Sequence, residues 1–168
     1  MEVLLIRHAI AEPRPDEGGT QPDDNQRALT SKGRKRMKRG ARGLVQTVPT
    51  INVLASSPLV RAMQTAEIVA KAYDGLEIVT VPALAPGAGA DATVGWLRSV
   101  ESSGTVALVG HEPDLSMLAT HLITAYQQSF LELAKGGACL LDVPAGVAAG
   151  TSRLVWLATP KQLRRLGR

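Results

Sequence analysis

The stretch VLASSPLVRAMQTA, residues 53–66, passes from a strand pattern into a helix pattern. Val53–Ala55 is apolar and predicts a buried β-strand, and a helix is predicted from Pro58 to about Tyr73. Proline at the first helical position loses no needed hydrogen bond, and Ser57 before it can cap the helix. A strand followed directly by a helix is the unit from which parallel sheets are built.

The same alternation continues in both directions along the chain. Further strands are predicted at Val3–Ile6, Glu77–Val81, Thr105–Val109, Ala138–Val143 and Arg153–Leu157. Further helices are predicted at Leu29–Val48, Thr93–Val100 and Pro113–Tyr126. Strands that alternate with helices predict an α/β fold, here a three-layer αβα sandwich with a mostly parallel central sheet. The last two strands are expected to pair as a hairpin, which gives the sheet one antiparallel edge strand.

Length and composition set the class of protein. With 168 residues, 45% of them hydrophobic, we expect one domain spanning 1–168. Met1 leads straight into an apolar strand and no apolar run approaches membrane-spanning length, so we expect no signal peptide, no membrane association and a cytoplasmic location. The single cysteine, Cys139, lies in a predicted buried strand, which excludes a disulfide framework and argues against a catalytic thiol.

Three of the predicted strands end in polar residues of compatible chemistry. The first strand ends in Arg7 and His8, the second is followed by Arg61 one turn into its helix, and the fourth ends before His111. In an open parallel sheet, ligands bind beyond the carboxyl ends of the strands. We therefore expect two histidines and two arginines to meet at one site.

This set of residues suits a phosphoryl group. Arg7 and Arg61 can donate bidentate, permanently charged hydrogen bonds to phosphoryl oxygens, and the amino ends of two helices add positive dipole ends. Neutral His8 can attack phosphorus, and His111 is expected to stabilise the transition state as a charged donor. Each residue alone has an ordinary structural interpretation, and the hypothesis depends on their convergence. His121 lies in mid-helix without such partners and is interpreted as structural or exposed.

No cofactor or metal is expected. The carboxylates show no metal-ligand spacing, the chain has no Walker-type glycine-rich loop, and one cysteine cannot make a pair that holds zinc.

Three sequence blocks, Leu5–Ala9, Ser56–Ala66 and Val109–Pro113, resemble the histidine phosphatase superfamily, also called phosphoglycerate mutase-like phosphatases. Ala9 stands where many members have glycine. The short chain and the segment Ala83–Pro86 look like the SixA branch of phosphohistidine phosphatases. The resemblance implies a phosphoglycerate mutase-like fold, a phosphorylated nucleophile at His8, and a phosphate pocket formed by Arg7, Arg61 and His111.

The resemblance also bears on the substrate. Larger members place a glutamate acid in the loop after the third strand, whereas here that loop, 82–92, offers only Asp91. An imidazole leaving group, with a pKa of about 6.5, departs far more readily than an alkoxide. A phosphohistidine carried by a protein is therefore the expected substrate. The alternative is a small phosphorylated metabolite, for which the proton donor would be one of four carboxylates: Glu12, Asp16, Glu112 or Asp91. A non-catalytic phosphate-binding module is the third interpretation, which the intact histidines and arginines argue against.

Other parts of the sequence give only general indications about binding partners. Seven Lys or Arg residues lie between Lys32 and Arg42, and they form either a solvated helix face or a docking surface for an acidic partner. Aromatic residues make up 3% of the chain, which argues against base stacking, and we expect no nucleic-acid partner. The protein is expected to be a monomer or a weak homo-oligomer. The polar loop from Glu12 to Asn25 is a candidate lid, and the basic residues from Arg164 onward are interpreted as a loose tail.

Overall fold

A six-stranded sheet forms the centre of the protein, of which a computed structural model describes residues 1–20, 23–126 and 128–168. The strands are β1 (Glu2–Arg7), β2 (Val53–Ser56), β3 (Ile78–Thr80), β4 (Thr105–Gly110), β5 (Ala138–Asp142) and β6 (Arg153–Ala158). Their order in the sheet is β3-β2-β4-β1-β5-β6. The first four strands pair in parallel, and β5 is antiparallel to both of its neighbours. The predicted terminal hairpin is confirmed; β5 is the reversed strand, and β6 forms the edge.

Helices cover both faces of the sheet, which confirms the predicted three-layer architecture. The helices are α1 (Ser31–Thr47), α2 (Val60–Ala72), α3 (Ala90–Ser99), α4 (Asp114–Thr124) and α5 (Pro160–Leu166). Short 3-10 helices lie at Pro15–Glu17, Asp24–Gln26 and Pro82–Leu84. Because side chains alternate along a strand, the even-numbered residues of β1 pack under α1, α2 and α5. Its odd-numbered residues pack under α3 and α4.

Several predicted helix boundaries are wrong by one to three residues. The first helix begins at Ser31, because Leu29 pairs with Ala11 in a β-bridge and Thr30 caps the helix by accepting a hydrogen bond from the Gly33 amide. Met37, Ala41 and Leu44 are buried on one face of this helix. The second helix begins at Val60 rather than Pro58, and its cap position is Leu59, without a side-chain hydrogen bond.

Three other elements also differ at their ends. The strand predicted at Glu77–Val81 is shortened to β3, and α3 begins at Ala90, three residues earlier than predicted. The helix α4 runs from Asp114 to Thr124, since Ala125 takes a left-handed conformation that ends it. None of the helices in the described ranges is long and apolar enough to cross a membrane.

The interpretation of the C-terminal residues as a loose tail is wrong. Residues 160–166 form α5, which begins with a capping box between Thr159 and Gln162 and carries Pro160 in its first turn. Leu163 is fully buried against α1. The approach is close because Gly43 of α1 leaves room for the Leu163 carbonyl, where a Cβ atom would overlap it.

Candidate active site

A cavity of about 490 Å³ opens at the carboxyl ends of the parallel strands. The four predicted site residues, Arg7, His8, Arg61 and His111, all line it. Arg7 ends β1 and is followed by His8, while His111 directly follows β4. The parallel β1–β4 pair, in which Arg7 lies opposite Gly110, thus places both histidines side by side, with ring centroids 5.1 Å apart.

The His8 ring is held in one orientation. Its Nδ1 lies 2.7 Å from the Ala9 carbonyl oxygen, to which it donates a hydrogen bond, so that Nε2 keeps its lone pair. Burial lowers the pKa of His8 to about 3, and the charges of His111, Arg61 and Arg7 add to the effect, while the Ala9 bond opposes it. The imidazole is therefore neutral near pH 7, the state that a nucleophile needs.

His111 is held by Ser57 rather than left free. Its Nε2 lies 2.8 Å from Ser57 Oγ, and its Nδ1 is buried without a hydrogen-bond partner among the described residues. Burial lowers the pKa of His111 to about 3, with Arg61 adding to the effect and Asp24 opposing it. The ring is therefore neutral near pH 7 when the cavity holds no phosphoryl group, and its expected role as a charged donor in the transition state stays a prediction. Ser57, expected as a helix cap, lies two residues before the cap position of α2; its Oγ orients this ring and also accepts a hydrogen bond from the Leu59 amide at 3.4 Å.

Arg61 is buried, with 3% of its surface exposed, and one residue accepts hydrogen bonds from both of its terminal nitrogens, while its Nε has no partner among the described residues. Its Nη1 donates to the Asp24 carbonyl oxygen at 2.7 Å, and its Nη2 donates to Asp24 Oδ2 at 3.0 Å. Thr65 Oγ1 donates to the Arg61 carbonyl and accepts from the Ala9 amide, which ties α2 to the segment after His8. A phosphoryl group in this cavity would meet a guanidinium that already has a carboxylate partner.

Asp24 and Arg27 are cavity residues that the sequence analysis missed. Arg27 is buried and donates from Nε to Asp24 Oδ1 at 2.8 Å and from Nη1 to the Glu12 carbonyl. The two arginines lower the pKa of the Asp24 carboxyl, although its partial burial acts in the opposite direction. The only signal in the sequence was an acid three residues before an arginine, inside the loop interpreted as a lid. That loop forms one wall of the cavity, and its closure on substrate stays a prediction.

The segment that precedes β5 holds the Arg7 side chain in place. Its Nη1 donates to the Leu133 carbonyl at 2.6 Å and lies 3.9 Å from Glu132 Oε1. Glu112 holds the same segment, because its Oε1 accepts from the Leu133 amide and its Oε2 accepts from Ser116 Oγ at 2.6 Å. Burial raises the pKa of Glu112 despite these bonds.

The four carboxylates considered as proton donors fall into two groups. Glu12 and Glu112 line the cavity, whereas Asp16 and Asp91 are not among its lining residues. Asp91 lies on α3, where its Oδ1 is 3.8 Å from His121 Nε2. His121 is partly buried there and stays a structural residue. In the described residues no group of three or more His, Cys, Asp or Glu side chains is arranged to hold a metal ion.

The sequence profile of the histidine phosphatase superfamily (branch 1) matches residues 3–86. The chain belongs to this superfamily. An uncharacterised protein of Picosynechococcus sp. is 36% identical over 167 residues, which cover 97% of this chain and 99% of that protein. The profile match includes Arg7, His8 and Arg61, and His111 joins them in the cavity. The activity class of the chain is that of a phosphatase of this superfamily.

Solved structures show the same fold at low sequence identity. The protein histidine phosphatase SixA complexed with tungstate superimposes with a TM-score of 0.82 at 22% identity, covering 97% of this chain and 99% of that one. A phosphoserine phosphatase of Entamoeba histolytica, in complex with 3-phosphoglyceric acid, superimposes with a TM-score of 0.70 at 14% identity, covering 96% and 98%. Proteins named for a protein substrate and for small substrates therefore share this fold.

Proposed function

We propose that the protein hydrolyses phosphohistidine on a protein substrate through a phosphorylated His8. The observation that carries the proposal is the state of His8: neutral, with Nδ1 tied to the Ala9 carbonyl and Nε2 left as the free nucleophile. Arg7, Arg61 and His111 line the same cavity and supply donors for phosphoryl oxygens.

The reaction proceeds in two displacements. His8 Nε2 attacks phosphorus, a bond forms between them, and the bond from phosphorus to the substrate imidazole breaks. When the other nitrogen of the substrate ring carries a proton, that ring leaves as a neutral imidazole and needs no acid from the protein. Water then attacks the phosphorylated His8, which releases inorganic phosphate and returns the neutral imidazole, while the surplus proton passes to phosphate or solvent.

The phosphoryl group changes the electrostatics of the cavity. Burial and the neighbouring arginines keep the pKa of His111 low in the free protein. A bound phosphoryl dianion favours the protonated ring, so that His111 becomes a charged donor on substrate binding. Arg61 turns its donors from Asp24 to the substrate or shares them between the two acceptors.

A small phosphorylated metabolite is the second candidate substrate. Glu112 favours it, because this carboxyl lines the cavity and burial raises its pKa toward values at which it can donate a proton. The hydrogen bonds that Glu112 accepts from Ser116 and Leu133 argue the other way, since they occupy both oxygens in the carboxylate form.

The test compares leaving groups under metal-free conditions. A protein carrying one phosphohistidine, p-nitrophenyl phosphate and a sugar phosphate are offered to the purified enzyme and to His8→Ala. We expect preferential hydrolysis of the phosphohistidine, an acid-labile phosphoryl label on His8 during turnover, and loss of both in His8→Ala. The matched control is His121→Ala, at a histidine outside the cavity, which should keep turnover. Hydrolysis of the esters alone would assign small substrates, and normal turnover by His8→Ala would refute the mechanism.

A further inference from the structure

A large surface with an excess of positive charge lies on the α1 side of the molecule. Six of the seven basic side chains of α1 are exposed, and neither α1 nor α5 contains an acidic residue. The six are Lys32, Lys35, Arg36, Lys38, Arg39 and Arg42. Together with Lys161, Arg164 and Arg165 of α5 they form what is called here the basic surface. Within the described part of the chain, none of these side chains makes a salt bridge.

The fold forces these charges together. Gly43 packs against the Leu163 carbonyl and Gly167 packs against the Arg39 carbonyl, so α1 and α5 lie in direct backbone contact. Burial lowers the pKa of Arg164, and the charges of Arg36 and Arg39 lower it further. Like charges held this close repel each other, and a bound anionic partner relieves that repulsion.

The basic surface reaches the catalytic cavity. Lys135 lines that cavity and also lines a small adjoining pocket together with Arg36 and Arg164. A macromolecule that presents a phosphoryl group to His8 therefore passes directly over positive charge.

A groove between α1 and α2 extends the basic surface and gives it shape. The groove has a volume of about 760 Å³; Lys35, Lys38, Arg39 and Arg42 line one wall, and Glu67 and Lys71 of α2 line the other, so that five cations face one carboxylate. Its lining also includes the apolar side chains Ile68 and Ala72. Close by, Leu166 is 50% exposed in a second cavity that Arg42 also lines. Apolar contacts surrounded by charge are typical of protein interfaces, whereas a nucleic-acid backbone would leave Ile68 and Leu166 uncovered.

We propose that the basic surface is the docking site for an acidic protein that carries the phosphohistidine to His8. The proposal rests on the proposed function and adds the kind of partner. The positive charge accelerates association with an acidic domain, and the groove between α1 and α2 holds one of its helices while the phosphohistidine enters the cavity.

The test varies the charge of the substrate protein and the charge of the basic surface. Two small proteins with one histidine each, one acidic and one basic, are phosphorylated with phosphoramidate, and free phosphohistidine serves as the small substrate. We expect kcat/KM at about 0.05 M salt to be at least tenfold higher for the acidic protein, and the difference to vanish near about 0.5 M salt. Lys38→Gln/Arg42→Gln should lose at least tenfold on the acidic protein only.

The matched control is Arg153→Glu, at the end of the sheet opposite His8. Both variants lower the net charge from +4 to +2, because two cations are neutralised in one and one is reversed in the other. Arg153→Glu should keep the wild-type kcat/KM on the acidic protein. Equal losses in the two variants, or no loss in Lys38→Gln/Arg42→Gln, would overturn the docking proposal and leave the His8 chemistry intact.

A binding measurement distinguishes a failure of the docking proposal from a failure of the proposed function. His8→Ala, which cannot turn substrate over, is titrated with the unphosphorylated acidic protein and with a DNA duplex of similar size. Salt-dependent binding of the acidic protein that is lost in His8→Ala/Lys38→Gln/Arg42→Gln supports docking even if no phosphohistidine is hydrolysed. Absence of binding, or tighter binding of the duplex, overturns it.

Discussion

The two cavity histidines connect the chemistry of the site to the stability of the fold. Burial lowers the pKa of His8 and of His111 to about 3, whereas imidazoles in the unfolded chain titrate near about 6.5. As the pH falls below that value, the unfolded chain binds protons that the folded protein does not. We therefore expect the free energy of unfolding to fall by up to about 1.4 kcal/mol per pH unit for each histidine. Denaturant titrations between about pH 6.5 and pH 5 measure this slope.

His8→Gln provides the comparison, because it removes one of these titrating groups and keeps a polar side chain. The slope of the unfolding free energy against pH should become shallower by up to about 1.4 kcal/mol per pH unit, the contribution of one proton. We expect this change whatever the variant does to stability at neutral pH. Identical slopes in the two proteins would mean that His8 titrates alike in the folded and unfolded chains. That result would contradict the lowered pKa of His8 in the folded protein.

At the scale of single helices, α1 offers a matched pair of glycines. A Cβ atom at Gly43 would overlap the Leu163 carbonyl, whereas a Cβ atom at Gly40 meets nothing within 4 Å. Gly43→Ala should therefore separate α5 from α1 and destabilise the protein by about 1–3 kcal/mol. Gly40→Ala should stabilise it by up to about 1 kcal/mol through helix propensity alone. Thermal and denaturant unfolding measure both changes, and destabilisation by both variants would contradict the packing of α5 described above.

The elements also show what the sequence could and could not predict. The convergence of Arg7, His8 and His111 was predictable because these residues lie at the ends of apolar runs. The parallel sheet alone then brings them to one edge. The helix α5 escaped prediction because Leu163 is its one buried residue and half of its other side chains are basic. It folds because Thr159 and Gln162 cap it and because α1 offers a glycine groove, which is a contact between elements distant in the chain.

The sequence did not predict those contacts of the candidate site that depend on how loops fold. Asp24 reaches Arg61 across 37 positions in the sequence, and Glu112 reaches Leu133 across 21. Neither contact follows from periodicity or from strand order. The lowered pKa of His111 in the free protein could not be predicted for a related reason, since it depends on how deeply the finished fold buries the ring.

At the scale of the whole molecule, Asp24 comes from a segment distant in the chain from α2, and it lines the cavity while pairing with Arg61. A phosphate ion must compete with that carboxylate for the same guanidinium. Asp24→Asn removes the competing charge while keeping the side chain's shape. We expect inorganic phosphate to bind about fivefold more tightly to the variant, which corresponds to about 1 kcal/mol of relieved competition. Because phosphate binds only the folded protein, it should raise the Tm of Asp24→Asn more than that of the wild type.

Asp142→Asn serves as the control for this last prediction. Its carboxylate pairs with Arg153 at 2.8 Å at the far end of the sheet, so the substitution also breaks an Asp–Arg contact but outside the cavity. Phosphate should raise the Tm of Asp142→Asn and of the wild type equally.

Without phosphate, Asp24→Asn should be the less stable variant, because it leaves buried Arg61 without its charged acceptor. The two effects must appear together: a larger phosphate shift without lower basal stability would mean that Asp24 does not hold Arg61 in the free protein. A lower stability that phosphate does not restore would mean that Arg61 does not contact the anion.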